Sequence, residues 1–245
     1  IIKKICDAGL ISQKDNVIEI GPGTGNLSEF IIQKKPRNLY LIEKDKRFIR
    51  YLNEKFKEKI NVINEDILTY DLKKLSNSNL IVFGNLPYNI SSQILTKFIN
   101  YNAKDFIYKK LIFMFQKEVA DRILAQFNSK FYGRLSILTN WKLKVKKICD
   151  VKPSSFFPKP KIDSSILLFQ PKTNFFQLKN AKNLEKLTRV FFMHRRKMLK
   201  KPYKILFNDN LEVANKLKIN LNLRPQNLNF ETYFKLTEEY ENLRS

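Results

Sequence analysis

The run Val17-Ile18-Glu19-Ile20-Gly21-Pro22-Gly23-Thr24-Gly25-Asn26-Leu27 constrains the fold of this 245-residue chain more than any other stretch. A short strand-like run meets a loop with glycine at every second position, and an amphipathic segment, Leu27–Lys34, follows at once. Glycines let the backbone turn tightly and leave it bare of Cβ atoms, so a ligand can approach the main chain. The alternation then continues. Strand-like runs at Asn38–Ile42, Asn61–Ile63, Leu80–Phe83 and Lys110–Phe115 are separated by helical patterns that include Arg47–Phe56 and Ser91–Asn100. This order predicts a parallel sheet covered by helices. Gln116–Phe127 reads as a further amphipathic helix, Ser136–Trp141 and Lys144–Cys149 as strands, and Ser165–Gln170 as an edge strand. Seven or eight strands are expected, the late ones paired as hairpins. Beyond a linker at Pro171–Asn174, the segments Asn183–Lys200, Glu212–Lys218 and Phe230–Asn242 are helical with no strand signal between them. The expected division is an α/β domain over residues 1–172 and a small all-helical domain over 173–245.

Composition narrows the function. The chain carries 46 Lys+Arg against 23 Asp+Glu, a net charge of +23, which calls for a polyanionic partner. Lys, Asn and Ile are abundant throughout, so part of that excess is compositional bias; the remainder still favours nucleic acid over an acidic membrane surface. No apolar run approaches the roughly 20 residues needed to cross a bilayer. Cys6 and Cys149 lack metal-ligand spacing, and the single histidine, His194, sits among Arg195, Arg196 and Lys197. No metal site and no Ser-His-Asp triad is expected, and the two thiols read as ordinary reduced cysteines of a cytosol-type compartment. The chain opens at Ile1 inside a helix-like pattern without a signal-peptide signature, and so reads as N-terminally truncated.

The glycine loop has Gly-x-Gly-x-Gly spacing. A dinucleotide fingerprint would need a third glycine at position 26, which is Asn, and no Lys-Ser/Thr follows to cradle nucleotide phosphates. The loop instead resembles the S-adenosylmethionine loop of Rossmann-like methyltransferases, which implicates Gly21, Gly23 and Gly25 in cofactor binding. Glu43 ends the second strand, eighteen positions beyond Gly25, where an acid can accept both ribose hydroxyls. Asp66 ends the third strand, where a carboxylate can accept a hydrogen bond from an adenine amino group while Ile67 packs on the ring. Helix N-capping is the competing role for Asp66. Glycine loop, acid and acid at three successive strand ends fit the rule that open α/β sheets bind ligands there.

The fourth strand ends in Asn85-Leu86-Pro87-Tyr88, which resembles the catalytic signature of methyltransferases acting on the exocyclic amino group of adenine. An amide oxygen on Asn85 and the Leu86 carbonyl can accept that group's two N–H bonds, directing the nitrogen lone pair at the methyl. Positioning and electrostatics then supply the rate without a strong base. Pro87 stiffens the turn, and Tyr88 offers a stacking face to an extruded base.

With these residues in place, the chain resembles the ribosomal small-subunit rRNA adenine dimethyltransferases. Phe115–Arg122 looks like that family's helix after the fifth strand, and Tyr132-Gly133-Arg134-Leu135-Ser136 like its following loop and strand. Pro153–Ser164 is similar to its second substrate loop, and the Arg/Lys-rich helix Arg189–Lys201 to its C-terminal module. The resemblance implies a Rossmann-like fold with a mostly parallel seven-stranded sheet, S-adenosylmethionine as cofactor, and Phe156 as a second aromatic wall opposite Tyr88. It implies dimethylation of two adjacent adenines near the 3′ end of small-subunit rRNA, in a pre-ribosomal 30S-type particle, by a cytoplasmic or organellar monomer with no membrane partner. An N-terminal Gly-Gln-Asn-Phe-Leu segment that closes over the cofactor belongs to the family pattern and does not precede Ile1 here. Lys159, Lys161, Arg195, Arg196, Lys197, Lys200 and Lys201 are the candidate RNA contacts. Two alternatives stay open: a methylase of the antibiotic-resistance type acting on large-subunit rRNA, and a non-enzymatic binder that keeps the fold.

Overall fold

The computed structural model describes residues 1–57, 60–75, 79–101, 107–155, 159 and 161–244. The chain divides into two compact units, Ile1–Ala120 with Lys144–Pro171, and Asp121–Leu143 with Lys172–Ser245. The C-terminal region that the sequence sets apart is thus joined by a segment from the middle of the chain.

The first unit runs α1 (Ile2–Gly9), β1 (Asn16–Ile20), α2 (Asn26–Gln33), β2 (Asn38–Glu43), α3 (Lys46–Phe56), β3 (Asn61–Asn64), β4 (Leu80–Gly84), α4 (Ser91–Ile99) and β5 (Tyr108–Gln116). Helix α5 (Lys117–Leu124) spans the division between the units. The chain returns through β6 (Leu143–Val151) and β7 (Ser164–Pro171). Among the described residues one seven-stranded sheet forms, in the order β3-β2-β1-β4-β5-β7-β6. The first five strands are parallel, and β7 runs antiparallel to β5. From β1 the chain steps outward to β3, then crosses back to place β4 on the other side of β1. That reversal opens a crevice beyond the carboxyl ends of β1 and β4, the usual ligand position in such sheets.

Strand β4 is buried at all five positions, as a central parallel strand covered on both faces requires. Its Ile81 and Phe83 join Val17, Ile31, Leu41, Leu52 and Ile112 in the core. Each such side chain contributes roughly 1.5–3 kcal/mol on burial, so the sheet that carries the site is held by many small terms rather than one.

The second unit contains α6 (Arg134–Lys142), α7 (Ala181–Met193), α8 (Lys200–Phe207), α9 (Leu211–Lys216) and α10 (Phe230–Asn242). Its core is aromatic. Tyr233 lies fully buried against Phe191 and Phe192, its hydroxyl donating to the Pro225 carbonyl at 2.7 Å, and Tyr203 stacks on Phe207. Buried Glu241 accepts hydrogen bonds from the backbone amides of Lys179 and Asn180 and from Asn183 Nδ2, which ties the chain entering α7 to α10.

Two expected elements differ. Ser136–Trp141, read as a strand, lies inside helix α6, and the loop-and-strand match at Tyr132–Ser136 is therefore a loop and a helix start. Gly133 begins the helix, with Ser136 Oγ accepting from its amide and donating to its carbonyl. Ser136 through Thr139, Trp141 and Lys142 are all buried, and a helix buried on nearly every side shows no amphipathic period to separate it from a buried strand. The second difference is at Asn183–Lys200. Helix α7 ends at Met193, a turn follows, and α8 starts anew at Lys200 with Pro202 in its first turn, where a missing N–H costs nothing. Arg195, Arg196 and Lys197 consequently lie in a turn between helices, not on a continuous basic helix.

Candidate active site

Strand register gathers the expected cofactor and catalytic residues at one sheet edge. Ile20 pairs with Ile42 on one side and Gly84 on the other, so Gly21 and Asn85 each stand one step past the ends of β1 and β4, level with Glu43, the last residue of β2. Glu43 pairs with Asn64, which puts Asp66 and Ile67 just beyond the end of β3.

The glycine loop needs its glycines. Gly21, Gly23 and Gly25 all have positive φ, and a Cβ on Gly25 would fall 2.5 Å from the Phe56 ring. Cβ atoms on Gly21 or Gly23 would meet nothing within 4 Å, so the loop faces open space on the side where a ligand would approach. Lys55 braces the loop from behind, donating to the Thr24 carbonyl at 2.8 Å and pairing with Glu29 at 2.6 Å.

Both strand-end acids are held by their surroundings. Glu43 Oε1 accepts from the Lys44 and Asp45 amides at 2.8 and 2.9 Å, and Oε2 accepts from the Gly23 amide at 3.3 Å, which joins it to the glycine loop. Asp66 Oδ1 caps the following turn through the Leu68 amide at 2.9 Å, while Oδ2 pairs with Lys44 at 2.9 Å. The Lys44 ammonium beside it holds the Asp66 carboxyl below the usual carboxylate range. Lys97, on α4, donates to the carbonyls of Ile67, Leu68 and Tyr70 at 2.7, 3.2 and 2.6 Å, and so pins the turn that presents Asp66 and buried Ile67. Partial burial pushes the Lys97 ammonium below its ordinary value.

After β4 the chain makes its exposed turn. Asn85 and Pro87 are exposed, Leu86 is buried and Tyr88 is half-buried. A Cβ on Gly84 would lie 2.4 Å from Leu86 Cδ2, so glycine there is what lets the Leu86 side chain fold back over the strand end. With Leu86 anchored inward, its neighbour Asn85 is left outside the core. The Pro87 carbonyl accepts from the Ile90 amide at 3.1 Å, and the Tyr88 carbonyl from Ser91 Oγ at 3.1 Å, which joins the turn to the start of α4. The Tyr88 hydroxyl shares a 2.8 Å hydrogen bond with Ser164 Oγ at the start of β7.

The sequence profile of the ribosomal RNA adenine dimethylase family matches residues 1–242. This chain belongs to that family. A relative named ribosomal RNA small subunit methyltransferase A, from Pelagibacter ubique, is 57% identical over 244 residues, covering 100% of this chain and 93% of the relative. Among solved structures, a dimethyladenosine transferase from Plasmodium falciparum superposes with a TM-score of 0.83 at 29% identity, covering 98% of this chain and 95% of that one. The 23S rRNA methyltransferase ErmE superposes with a TM-score of 0.69 at 19% identity, covering 98% and 96%, a likeness of fold. The chain is therefore an rRNA adenine dimethyltransferase that uses S-adenosylmethionine.

The residues of this dimethylase fit that cofactor. The open face of Gly21 and Gly23 leaves room against the main chain, and the Glu43 carboxylate is already aligned by three backbone amides. One contributor was not singled out from the sequence. Glu19 lies 3% exposed in β1, two residues before the loop, and accepts from Ser28 Oγ at 2.6 Å. Burial pushes its carboxyl up to about 7, the Ser28 hydrogen bond opposes this, and the Glu43 charge adds to it. Its signal was an acid inside the otherwise apolar run Val-Ile-Glu-Ile.

The candidate RNA contacts divide between the two units. Lys159 and Lys161 are exposed in the first unit, while Phe156 lies outside the described residues. In the second unit Arg196, Lys197, Lys200 and Lys201 are exposed. Arg195 is half-buried and already engaged, donating from Nη2 to the Lys130 carbonyl at 2.5 Å and from Nε to Gln226 Oε1 at 3.3 Å. No described helix is long and apolar enough to cross a membrane.

Proposed function

We propose that this chain dimethylates the exocyclic amino groups of two adjacent adenines near the 3′ end of small-subunit rRNA, within a pre-ribosomal 30S-type particle, as a monomer in the cytoplasm. The observation that carries this reading is the register that sets Gly21, Glu43 and Asn85 at the ends of three adjacent parallel strands, with Asp66 beyond the fourth. The small-subunit target and the cytoplasmic setting are supported by the bacterial relative that carries the small-subunit name at 57% identity.

S-adenosylmethionine supplies an electrophilic methyl group on a positively charged sulfur, which takes back the methyl–sulfur electron pair and leaves as a neutral thioether. Gly21, Gly23 and Gly25 would lie against its amino-acid portion, Glu43 would accept its ribose hydroxyls, and Asp66 with Ile67 would hold its adenine. Asn85 Oδ1 and the Leu86 carbonyl accept the two N–H bonds of the target amino group, drawing nitrogen out of conjugation and aiming its lone pair. The nitrogen sheds one proton to solvent as each methyl bond forms. Water reaches the exposed Asn85 turn, so no side-chain base is required. Pro87 stiffens the turn, Tyr88 stacks on the extruded adenine, and Phe156 forms the opposite wall. Base stacking of this kind is worth roughly 1–3 kcal/mol per base. Lys159, Lys161, Arg196, Lys197, Lys200 and Lys201 supply phosphate contacts; Arg195, bound internally, organises its own turn.

The test is transfer of labelled methyl from S-adenosylmethionine to small subunits purified without this modification. Label on two adjacent adenines of small-subunit rRNA is expected. Label confined to large-subunit rRNA would replace the reading with the resistance-type activity, and particle binding without transfer would replace it with a binder.

A further inference from the structure

We propose that Ser164 is a positioning residue for the target-base pocket, orienting the ring of Tyr88 through their shared hydrogen bond. The inference rests on Tyr88 being a wall of that pocket. Ser164 is completely buried, and its hydroxyl stands 2.8 Å from the tyrosine hydroxyl, although the two residues are 76 positions apart. Tyrosine turns about two side-chain bonds, and a ring fixed only by its Cα keeps both freedoms. A hydrogen bond to the hydroxyl, which lies on the axis of the second bond, removes the first freedom; because a phenol hydrogen-bonds in its ring plane, it also biases the second, so less ordering remains to be done when RNA binds.

Ser164 is well placed to act as a fixed point. It ends the Pro153–Ser164 segment that resembles the second substrate loop, and its two neighbours are clamped as well. The Asp163 carbonyl accepts from the Lys117 amide at 2.9 Å, and Ser165 Oγ donates to Asp150 Oδ1 at 2.6 Å. Three consecutive residues thus hold three different partners, at the start of α5, in the catalytic turn and on β6. From Ser164 onward β7 pairs with β5, beginning at Gln116–Ser164. The root of the loop is therefore as rigid as the sheet, and the Tyr88 hydroxyl is fastened to it. Movement of the catalytic turn relative to the root of the second loop would break this bond.

The experiment measures single-turnover methyl transfer to unmethylated small subunits by the full chain, together with S-adenosylmethionine affinity and melting temperature. Ser164→Ala and Tyr88→Phe are each expected to slow transfer roughly tenfold at unchanged cofactor affinity, the scale expected for loss of one hydrogen bond that positions a reacting group. The double variant should be no slower than the slower single, because both remove one bond. Wild-type transfer in Tyr88→Phe, or losses that multiply in the double variant, would overturn the proposal. If Ser164→Ala melts early, Tyr88→Phe still decides, since it alters one hydroxyl on a half-buried residue. Tyr88→Ala separates the levels. Full transfer in that variant sinks the pocket reading and this inference with it; loss in Tyr88→Ala beside wild-type Tyr88→Phe sinks the anchor alone.

Discussion

The turn at Asn85–Tyr88 and the turn at His194–Met198 both leave a regular element and expose polar side chains, yet they are built differently. The first is determined by its supports. Leu86 folds over Gly84, Ser91 and Ile90 hold its carbonyls, and Ser164 holds its tyrosine ring. The second spends one arginine, Arg195, on fastening itself to Lys130 and Gln226, and leaves Arg196 and Lys197 free in solvent. A reacting amino group needs acceptors placed to a fraction of an ångström, whereas a phosphate chain needs charge within a screening length. On the proposed reading, the first turn depends on geometry and the second on charge.

The largest expected effect breaks the first turn. Asn85→Ala removes one acceptor from the target amino group and should reduce transfer on the order of 100-fold or more, while titration of S-adenosylmethionine shows little change in affinity. Normal turnover in that variant would end the proposed role of the amide.

A second expectation concerns the buried carboxyl behind the glycine loop. The folded value of Glu19, about 7, lies above its ordinary 4.5, so between those pH values the folded chain binds more protons than the unfolded one. Stability from this group should therefore fall as pH rises through that window, by up to about 1.4 kcal/mol per pH unit, and level off above it. Glu19→Gln keeps an acceptor for Ser28 but cannot ionise. Its melting temperature relative to wild type should rise steadily from pH 4.5 to 7 and stay higher at pH 8. Parallel melting profiles for the two proteins would show that Glu19 does not titrate there.

The smallest effects sharpen the contrast within the second turn. Arg196→Ala should leave melting unchanged, weaken binding to small-subunit rRNA a few-fold, and lower the salt dependence of binding by about one unit of slope. Arg195→Ala should instead lower the melting temperature, because the Lys130 carbonyl and Gln226 lose their donor. Identical behaviour of the two variants would erase the distinction between a fastening arginine and a phosphate-binding one.

The proposed cofactor residues could be picked out in the sequence because each sits at or just past a strand end, where short-range pattern and position coincide. Gly21, Gly23 and Gly25 were named from the resemblance of their loop, Glu43 and Asp66 from their strand-end positions, and the parallel sheet follows from strand and helix alternating. The failures have one cause. Ser136–Trp141 is buried on nearly all sides, and Asn183–Lys200 keeps a helical pattern across the turn after Met193. In both, the local pattern suits two structures, and packing decides between them.

Residue types and their order along the chain were enough to determine the α/β architecture, the glycine loop, the strand-end acids and the Asn85–Tyr88 turn, because those depend on backbone sterics and periodicity over a few residues. Only the tertiary structure decided that Asp66 pairs with Lys44, that Lys97 grips three carbonyls, that Asp121–Leu143 packs with the C-terminal helices, and that Ser164 meets Tyr88. Each of these joins groups distant in sequence, or depends on what else is buried nearby. Such contacts exist only once the sheet register has placed them, and no local spacing encodes them.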